Sequence, residues 1–191
     1  MRSRSARAAA VCLLAATLAA GAAWAATAWQ TILGFSAIEF TGTLAGGEFT
    51  GRFKEFGADI VFEPADLAGS RFRVVVQTGS ADTADAERDV SLKGPDFFDV
   101  AKWPTATFEA WRFRLLGPGR FEALGSLTLR GVTRDVPVTF EFEVPKGGTD
   151  ASLTGEATIR RLDFGVGQGE WRDTKWLGDE VRVRFGVLLK K

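Results

Sequence analysis

The sequence predicts an all-β domain whose strands run antiparallel and close into a barrel. Three observations carry this expectation. From Trp29 to the C-terminus, apolar and polar residues alternate with a period of two, the spacing at which one face of a strand is buried and the other is wet. No apolar stripe of helical period outlasts a turn or two, so the long crossovers that parallel strands require are missing. Short Gly and Pro clusters separate the alternating runs, as hairpin connections do. Eight or nine strands result, and closing them on themselves removes the edges that an open sheet must otherwise protect. A two-layer sandwich is the alternative arrangement of the same strands.

The chain begins with a segment of a different kind. Arg2, Arg4 and Arg7 precede an apolar run from Val11 to Ala20, and Ala23-Trp24-Ala25 supplies an A-x-A cleavage site. This pattern predicts a cleavable secretory signal over residues 1–25, a mature domain over 26–191, and export to the periplasm. The run is shorter than the ~20 residues a membrane span needs. Cys12 sits early in it and not beside the cleavage site, so no lipid anchor is expected.

Removing the signal takes three arginines from 24 basic residues and none from 24 acidic ones, which leaves a net charge of −3. Such a surface does not attract nucleic acid. The chain has no histidine, and Cys12 is its only cysteine. His-based triads, His-ligated zinc and stabilising disulfides are thereby excluded. Asp82, Asp85, Glu87 and Asp89 are interrupted by Ala84 and Ala86 and fit no EF-hand spacing, so no metal site is expected.

The first strand places Ile32, Gly34, Ser36, Ile38 and Phe40 on one face, and the second places Phe49, Gly51 and Phe53. Ala58 to Glu63 follows, closed by Pro64, and then Arg71 to Gln77 with Phe72, Val74 and Val76 facing one way. Thr78 to Trp103 is an excursion, polar and acidic over Thr78 to Asp89, with one turn of helix expected at the end of that acidic stretch. Its core is LKGPDFFDVAKWPTATF, Leu92 to Phe108. Gly94-Pro95 breaks the chain, Asp96 caps a short helical turn, and Pro104 stops it. Phe97, Phe98 and Trp103 are too large to bury within so short a plug and must pack on the strands. Thr105 to Leu116 and Phe121 to Arg130 come next. Asp135 to Val144 follows, with Val136, Val138, Phe140, Phe142 and Val144 on one face, and then a strand marked by Leu153, Ala157 and Ile159. Gly165, Gly167 and Gly169 read as turn residues, because no helix follows to complete a phosphate loop. Glu180 to Leu189 is the last strand.

Three stretches resemble the YceI-like polyisoprenoid-binding family. They are RDVSLKGPDFFDVAKWPTATF (Arg88 to Phe108), GSLTLRGVTRDVPVTFEF (Gly125 to Phe142) and RLDFGVGQGEWRDTKWLGDEVRVRF (Arg161 to Phe185). The resemblance implies an extended antiparallel eight-stranded lipocalin-like barrel with short helical insertions. It also implies that the interior holds an isoprenoid lipid or an isoprenoid quinone, with no covalent cofactor and no catalysis. Many relatives carry a histidine where this chain has Phe35 before Ser36, so any role of that histidine is absent here. Gly169-Glu170-Trp171 is similar to a branch associated with membrane b-type cytochromes, which suggests such a partner; a homodimer is a further possibility.

The candidate ligand-binding residues are Phe40, Phe53, Phe97, Phe98, Trp103, Phe108, Phe140, Phe142, Ile159 and Phe185. Interleaved small residues, Gly34, Gly51, Ala106, Ala110, Gly125, Gly155 and Ala157, would leave a slot between the rings. Arg88 with Asp89, and Arg161 with Asp163, are candidates for holding a polar head group or for pinning loops by ion pairs. The competing functions are a carbohydrate-binding sandwich using Trp103, Trp111, Trp171 and Trp176, and a lipid-modifying enzyme that works without histidine.

Overall fold

A computed structural model describes residues 26–191; the expected signal at 1–25 lies outside the described residues. The strands are β1 (Ala28–Thr31), β2 (Ala37–Leu44), β3 (Gly47–Phe53), β4 (Phe56–Val61), β5 (Arg71–Gln77), β6 (Ala81–Asp82), β7 (Thr105–Gly117), β8 (Arg120–Leu129), β9 (Val132–Glu143), β10 (Asp150–Arg160) and β11 (Glu180–Lys190). One α-helix, α1 (Ala86–Lys93), lies in the excursion.

Around the wall the order is β1, β4, β5, β7, β8, β9, β10 and β11, and β11 returns to β1. Every pairing is antiparallel. The sheet is thus a closed eight-stranded barrel and not a sandwich. Two staves are each made of two strands in succession: β2 extends the line of β1 and pairs with β11, while β3 extends β4 and pairs with β2.

The first stave departs from the continuous strand expected. A 3₁₀ turn at Leu33–Phe35 interrupts it, so Gly34 lies in the turn and not on an inner face. Ser36 fixes the break, its Oγ donating to the Ile32 carbonyl at 2.9 Å and accepting from the Leu188 N–H at 3.1 Å. Strand β9 begins at Val132, three residues before the Asp135 expected, because Arg130 and Gly131 both take positive φ. Leu129 then pairs with Val132 across a two-residue hairpin, the geometry that left-handed central residues favour.

Two features set the shape of the interior. At the end carrying the β7–β8 and β9–β10 turns, Phe62, Phe72, Phe113, Phe121, Phe140 and Phe142 form a continuous ring cluster. Phe62 at its centre is fully buried, with ring centroids 4.9–5.7 Å from five neighbours. This end is solid core. Towards the other end, phenylalanines face glycines on the adjacent strand: Phe40 opposite Gly51, Phe49 opposite Gly42, Phe185 opposite Gly155, and Phe108 diagonal to Gly125. A Cβ at Gly51, Gly125 or Gly155 would lie 2.3, 2.4 or 2.5 Å from the facing ring. Each ring tip therefore occupies the place of its neighbour's missing Cβ, against the barrel wall.

Gly155 also approaches backbone, since a Cβ there would sit 2.4 Å from the Thr139 carbonyl oxygen. Gly155→Ala is expected to cost about 1–3 kcal/mol by overpacking. Gly186→Ala on the paired strand, where the nearest atom is 3.9 Å away, is expected to be near neutral. Chemical denaturation of the two variants checks this, and equal effects would contradict it.

Candidate functional site: an apolar cavity under a latched lid

Above the ring cluster the barrel encloses a cavity of about 230 Å³. It is lined by the alternate, inward-facing residues of the staves: Ile38 and Phe40 of β2, Val74 and Val76 of β5, Leu127 and Leu129 of β8, Val136 and Val138 of β9, and Val181, Val183, Phe185 and Val187 of β11. Ile60, Phe72 and Leu153 also line it. The volume exceeds that of a ~150 Å³ apolar cavity that stays dry and accepts a hydrocarbon.

Of the expected binding residues, Phe40, Phe53, Phe97, Phe98, Phe108, Ile159 and Phe185 lie on the cavity wall. Phe140 and Phe142 do not. They face inward, but the register sets them opposite Phe121 and Leu153, in the solid cluster. Trp103 is likewise outside: its ring covers Gly131, where a Cβ would meet it at 2.5 Å, and it is 41% exposed. Phe49, Phe56, Leu92, Val166 and Leu177 line the cavity without having been expected to. Phe49 and Phe56 carried a signal in the strand alternation. Leu92, Val166 and Leu177 sit in the helix and loops, where no period marks an inner face.

The single charged residue on the wall is Arg161, only 4% exposed. It follows directly on β10, and its side chain turns back under the β10–β11 loop. Nε donates to the Gly178 carbonyl at 2.8 Å. Nη1 donates to those of Val166 at 2.9 Å and Gly167 at 3.4 Å, and Nη2 to those of Trp171 at 2.7 Å and Leu177 at 2.6 Å. These five carbonyls match the five N–H donors of a guanidinium. Burial pushes Arg161 below the usual arginine range, opposed by the charge of Asp179, yet the group stays cationic. Gly167, at φ +83°, leaves room for it, since a Cβ there would lie 2.2 Å from Nη1. Asp163 is exposed and makes no pair with Arg161; Asp179 instead bonds Arg160 and the Leu162 N–H.

Loop and plug are latched together as a lid. The Asp96 carbonyl accepts from the Gly167 and Gln168 N–H groups, both at 2.8 Å. Arg130 bridges the Pro95 and Gly165 carbonyls, and Phe97 packs on Trp171 with ring centroids 5.4 Å apart. Residues 95–98 form a turn rather than the helical turn expected from Asp96, and the Asp96 carbonyl accepts from the Gly167 and Gln168 N–H groups instead of from a helical N–H.

Arg88 and Asp89 lie away from the cavity lining and pin the excursion. Asp85 caps α1 by accepting from the Glu87 and Arg88 N–H groups, which extends the helix to two turns where one was expected. Arg88 pairs with Asp85 at 3.0 Å and stacks 4.8 Å over Phe49. Asp89 Oδ1 accepts from the Thr83 N–H and hydroxyl at 2.8 and 2.7 Å. Asp82 joins the segment to β3 through Lys54 at 2.9 Å and Arg52 at 3.6 Å.

The hydrogen bond from Lys54, followed by that from the Ala84 N–H, holds Asp82 below the usual carboxylate range. The Arg88 N–H does the same for Asp85. A depressed carboxylate stabilises the fold above its unfolded pKa of ~3.9 and loses that contribution as pH falls through the folded value. Acidification below about pH 4 is therefore expected to loosen residues 82–93 before the barrel. Hydrogen exchange at pH 3 and pH 6 checks this; unchanged protection of α1 relative to β8 would contradict it.

The four tryptophans of the sugar-binding alternative form no ring pair with one another among the described residues. Trp103 covers the β8–β9 turn, Trp111 stands 61% exposed on β7, Trp171 is half-buried against Phe97, and Trp176 is 57% exposed in the β10–β11 loop.

Comparison with known proteins agrees with this architecture. The YceI-like domain model matches residues 24–189. A UPF0312 protein of Vibrio vulnificus (strain YJ016) is 36% identical over 120 residues, covering 61% of this chain and 64% of that protein. One of Pseudomonas aeruginosa (strain LESB58) is 38% identical over 122 residues, covering 61% and 62%. The aligned region thus spans less than two thirds of these curated relatives. Among solved structures, Burkholderia cenocepacia BcnA superposes with a TM-score of 0.80 at 28% identity, over 83% of this chain and 99% of that one. A polyisoprenoid binding domain from Saccharophagus degradans superposes with a TM-score of 0.66 at 14% identity, over 86% and 98%, a likeness of fold.

Proposed function

This chain belongs to the YceI-like family, and we propose that it is a periplasmic binding protein that holds the apolar chain of an isoprenoid lipid, isoprenoid quinones included, inside its barrel. The observation that carries this reading is the chemistry of the cavity wall. It is apolar apart from Arg161, and every donor of Arg161 is already taken by a backbone carbonyl. A sugar or peptide placed there would lose its hydrogen bonds to water and find none in return. A hydrocarbon chain loses nothing. At ~0.8 kcal/mol per buried CH₂, ten carbons supply roughly 8 kcal/mol before ordering costs.

The protein acts by sequestration and release rather than by catalysis. The chain lies in the space between the phenylalanines seated on glycines, and the head group stays outside the apolar interior. The polyisoprenoid binding domain of Saccharophagus degradans, which shares the fold, is consistent with this ligand class. The leader pattern at 1–25 supports export, and no helix among the described residues is long and apolar enough to cross a membrane. A membrane b-type cytochrome is the partner that would consume a quinone ligand.

Native mass spectrometry of the exported protein, followed by organic extraction, tests the reading. A stoichiometric isoprenoid is the expected result. A protein that stays ligand-free after incubation with isoprenoid lipids would overturn it.

A further inference from the structure

Two staves of the barrel are broken at the same height, and the breaks face each other. Strand β2 pairs with β3 as far as Ile38 opposite Phe53, and pairing between these staves resumes only at Gln30 opposite Asp59. Among the described residues no strand pairing joins 31–37 to 54–58. A single side-chain bond, from Thr31 Oγ1 to the Ala58 carbonyl at 2.8 Å, spans the lower edge.

Both edges are fixed by other partners. On one side the Ile32 N–H donates to Leu188 and the Leu188 N–H to Ser36 Oγ. On the other, the Lys54 N–H donates to the Ser80 carbonyl and the Glu55 N–H to Ser80 Oγ. These bonds tie each stave to its neighbour on the far side, β11 or the Ser80 turn, so the staves are held in place without any strand pairing across the gap.

Outside the gap lies a groove of about 700 Å³, with Leu33 and Ala37 on one lip and Lys54 and Gly57 on the other. Phe53 and Phe56 line this groove and also line the interior cavity. The two half-buried rings are therefore the partition between outside and inside. At the outer lip Leu33 is 54% exposed.

We propose that this gap is a side portal through which the apolar chain passes between the groove and the barrel interior, with Phe53 and Phe56 as its gate. The inference rests on the binding reading above and adds the route to it. Opening the lid would break the two hydrogen bonds accepted by the Asp96 carbonyl and the Arg130 bridge, whereas turning two rings breaks no hydrogen bond. Leu33 and Ala37 give the chain an apolar lip to cross.

A reversible staple tests the portal. Ala37→Cys with Lys54→Cys places cysteines one position beyond the last β2–β3 pair, in a chain whose only cysteine is Cys12 of the expected leader. The probe is a dansylated farnesyl ether in phosphatidylcholine vesicles, followed by the rise in dansyl emission. Uptake by the oxidised form is expected to be about tenfold slower than by the reduced form, with the same final occupancy, as for a gate that controls rate alone. Equal rates at full occupancy overturn the portal and leave the binding reading standing. Phe56→Ala needs no cross-link and is expected to speed uptake about tenfold by removing half of the gate; an unchanged rate likewise overturns the portal. No uptake even by the unsubstituted protein overturns both readings.

Discussion

Ala157→Trp is expected to abolish chain binding while leaving the barrel folded. Ala157 lies on the cavity wall, on β10 opposite Val183. An indole there occupies space that about five methylene groups of a ligand would fill, and at ~0.8 kcal/mol each this removes roughly 4 kcal/mol, or about a thousandfold in affinity. Thr158→Trp, one residue on and exposed at the outer face, is the matched control and should bind as the unsubstituted protein does. Titration with a fluorescent isoprenoid reads both. Equal binding by the two variants would mean that the ligand does not use the interior.

Arg161→Met is expected to be the most destabilising single change in the lid. It removes the one group that satisfies carbonyls of Gly178, Val166, Gly167, Trp171 and Leu177 together. Stranding several buried acceptors at once puts the loss at about 3–5 kcal/mol, or about 10 °C in Tm for a domain of this size. Arg161→Lys has three donors in place of five and no planar fork, so it should recover only part of the loss. Thermal and denaturant unfolding measure this, and a Tm within a degree or two of the unsubstituted protein would contradict the role assigned to the guanidinium.

The barrel was legible because its physics is local. Alternation marked the inner faces of β5, β9 and β11, and Gly-rich turns marked the hairpins. The interleaved Gly51, Gly125 and Gly155 were recognisable as space for a slot, and the structure adds that each lies beneath a ring from the adjacent strand. Phe140 and Phe142 show where such reading stops. They share their face with Val136 and Val138, and only their height along the axis, set by pairing with β8 and β10, puts them in the solid cluster and the valines on the cavity.

The lid was less legible for a different reason. Arg161 was singled out as a candidate for an ion pair with Asp163, yet its partners are backbone carbonyls from residues 166 to 178, which have no side-chain signature. Trp103 was expected, as part of the plug, to form a lid or wall of the ligand slot, because a large ring in a short plug must pack on the strands. The surface it found is Gly131, exposed by a left-handed hairpin turn whose second residue lacks a Cβ. The break at Leu33–Phe35 was hidden because Ile32, Ser36 and Ile38 keep the strand period across it, while the Ser36 hydroxyl splices the chain to β11.

The most direct test of the central claim is a crystal structure of the protein with an isoprenoid brominated at its terminal end. The expected result is an anomalous bromine peak inside the barrel, above the ring cluster and among Ile60, Phe72, Val138, Leu153 and Val187, which line the cavity. Bromine on the outer surface, with the interior filled by Phe and Val side chains alone, would contradict it.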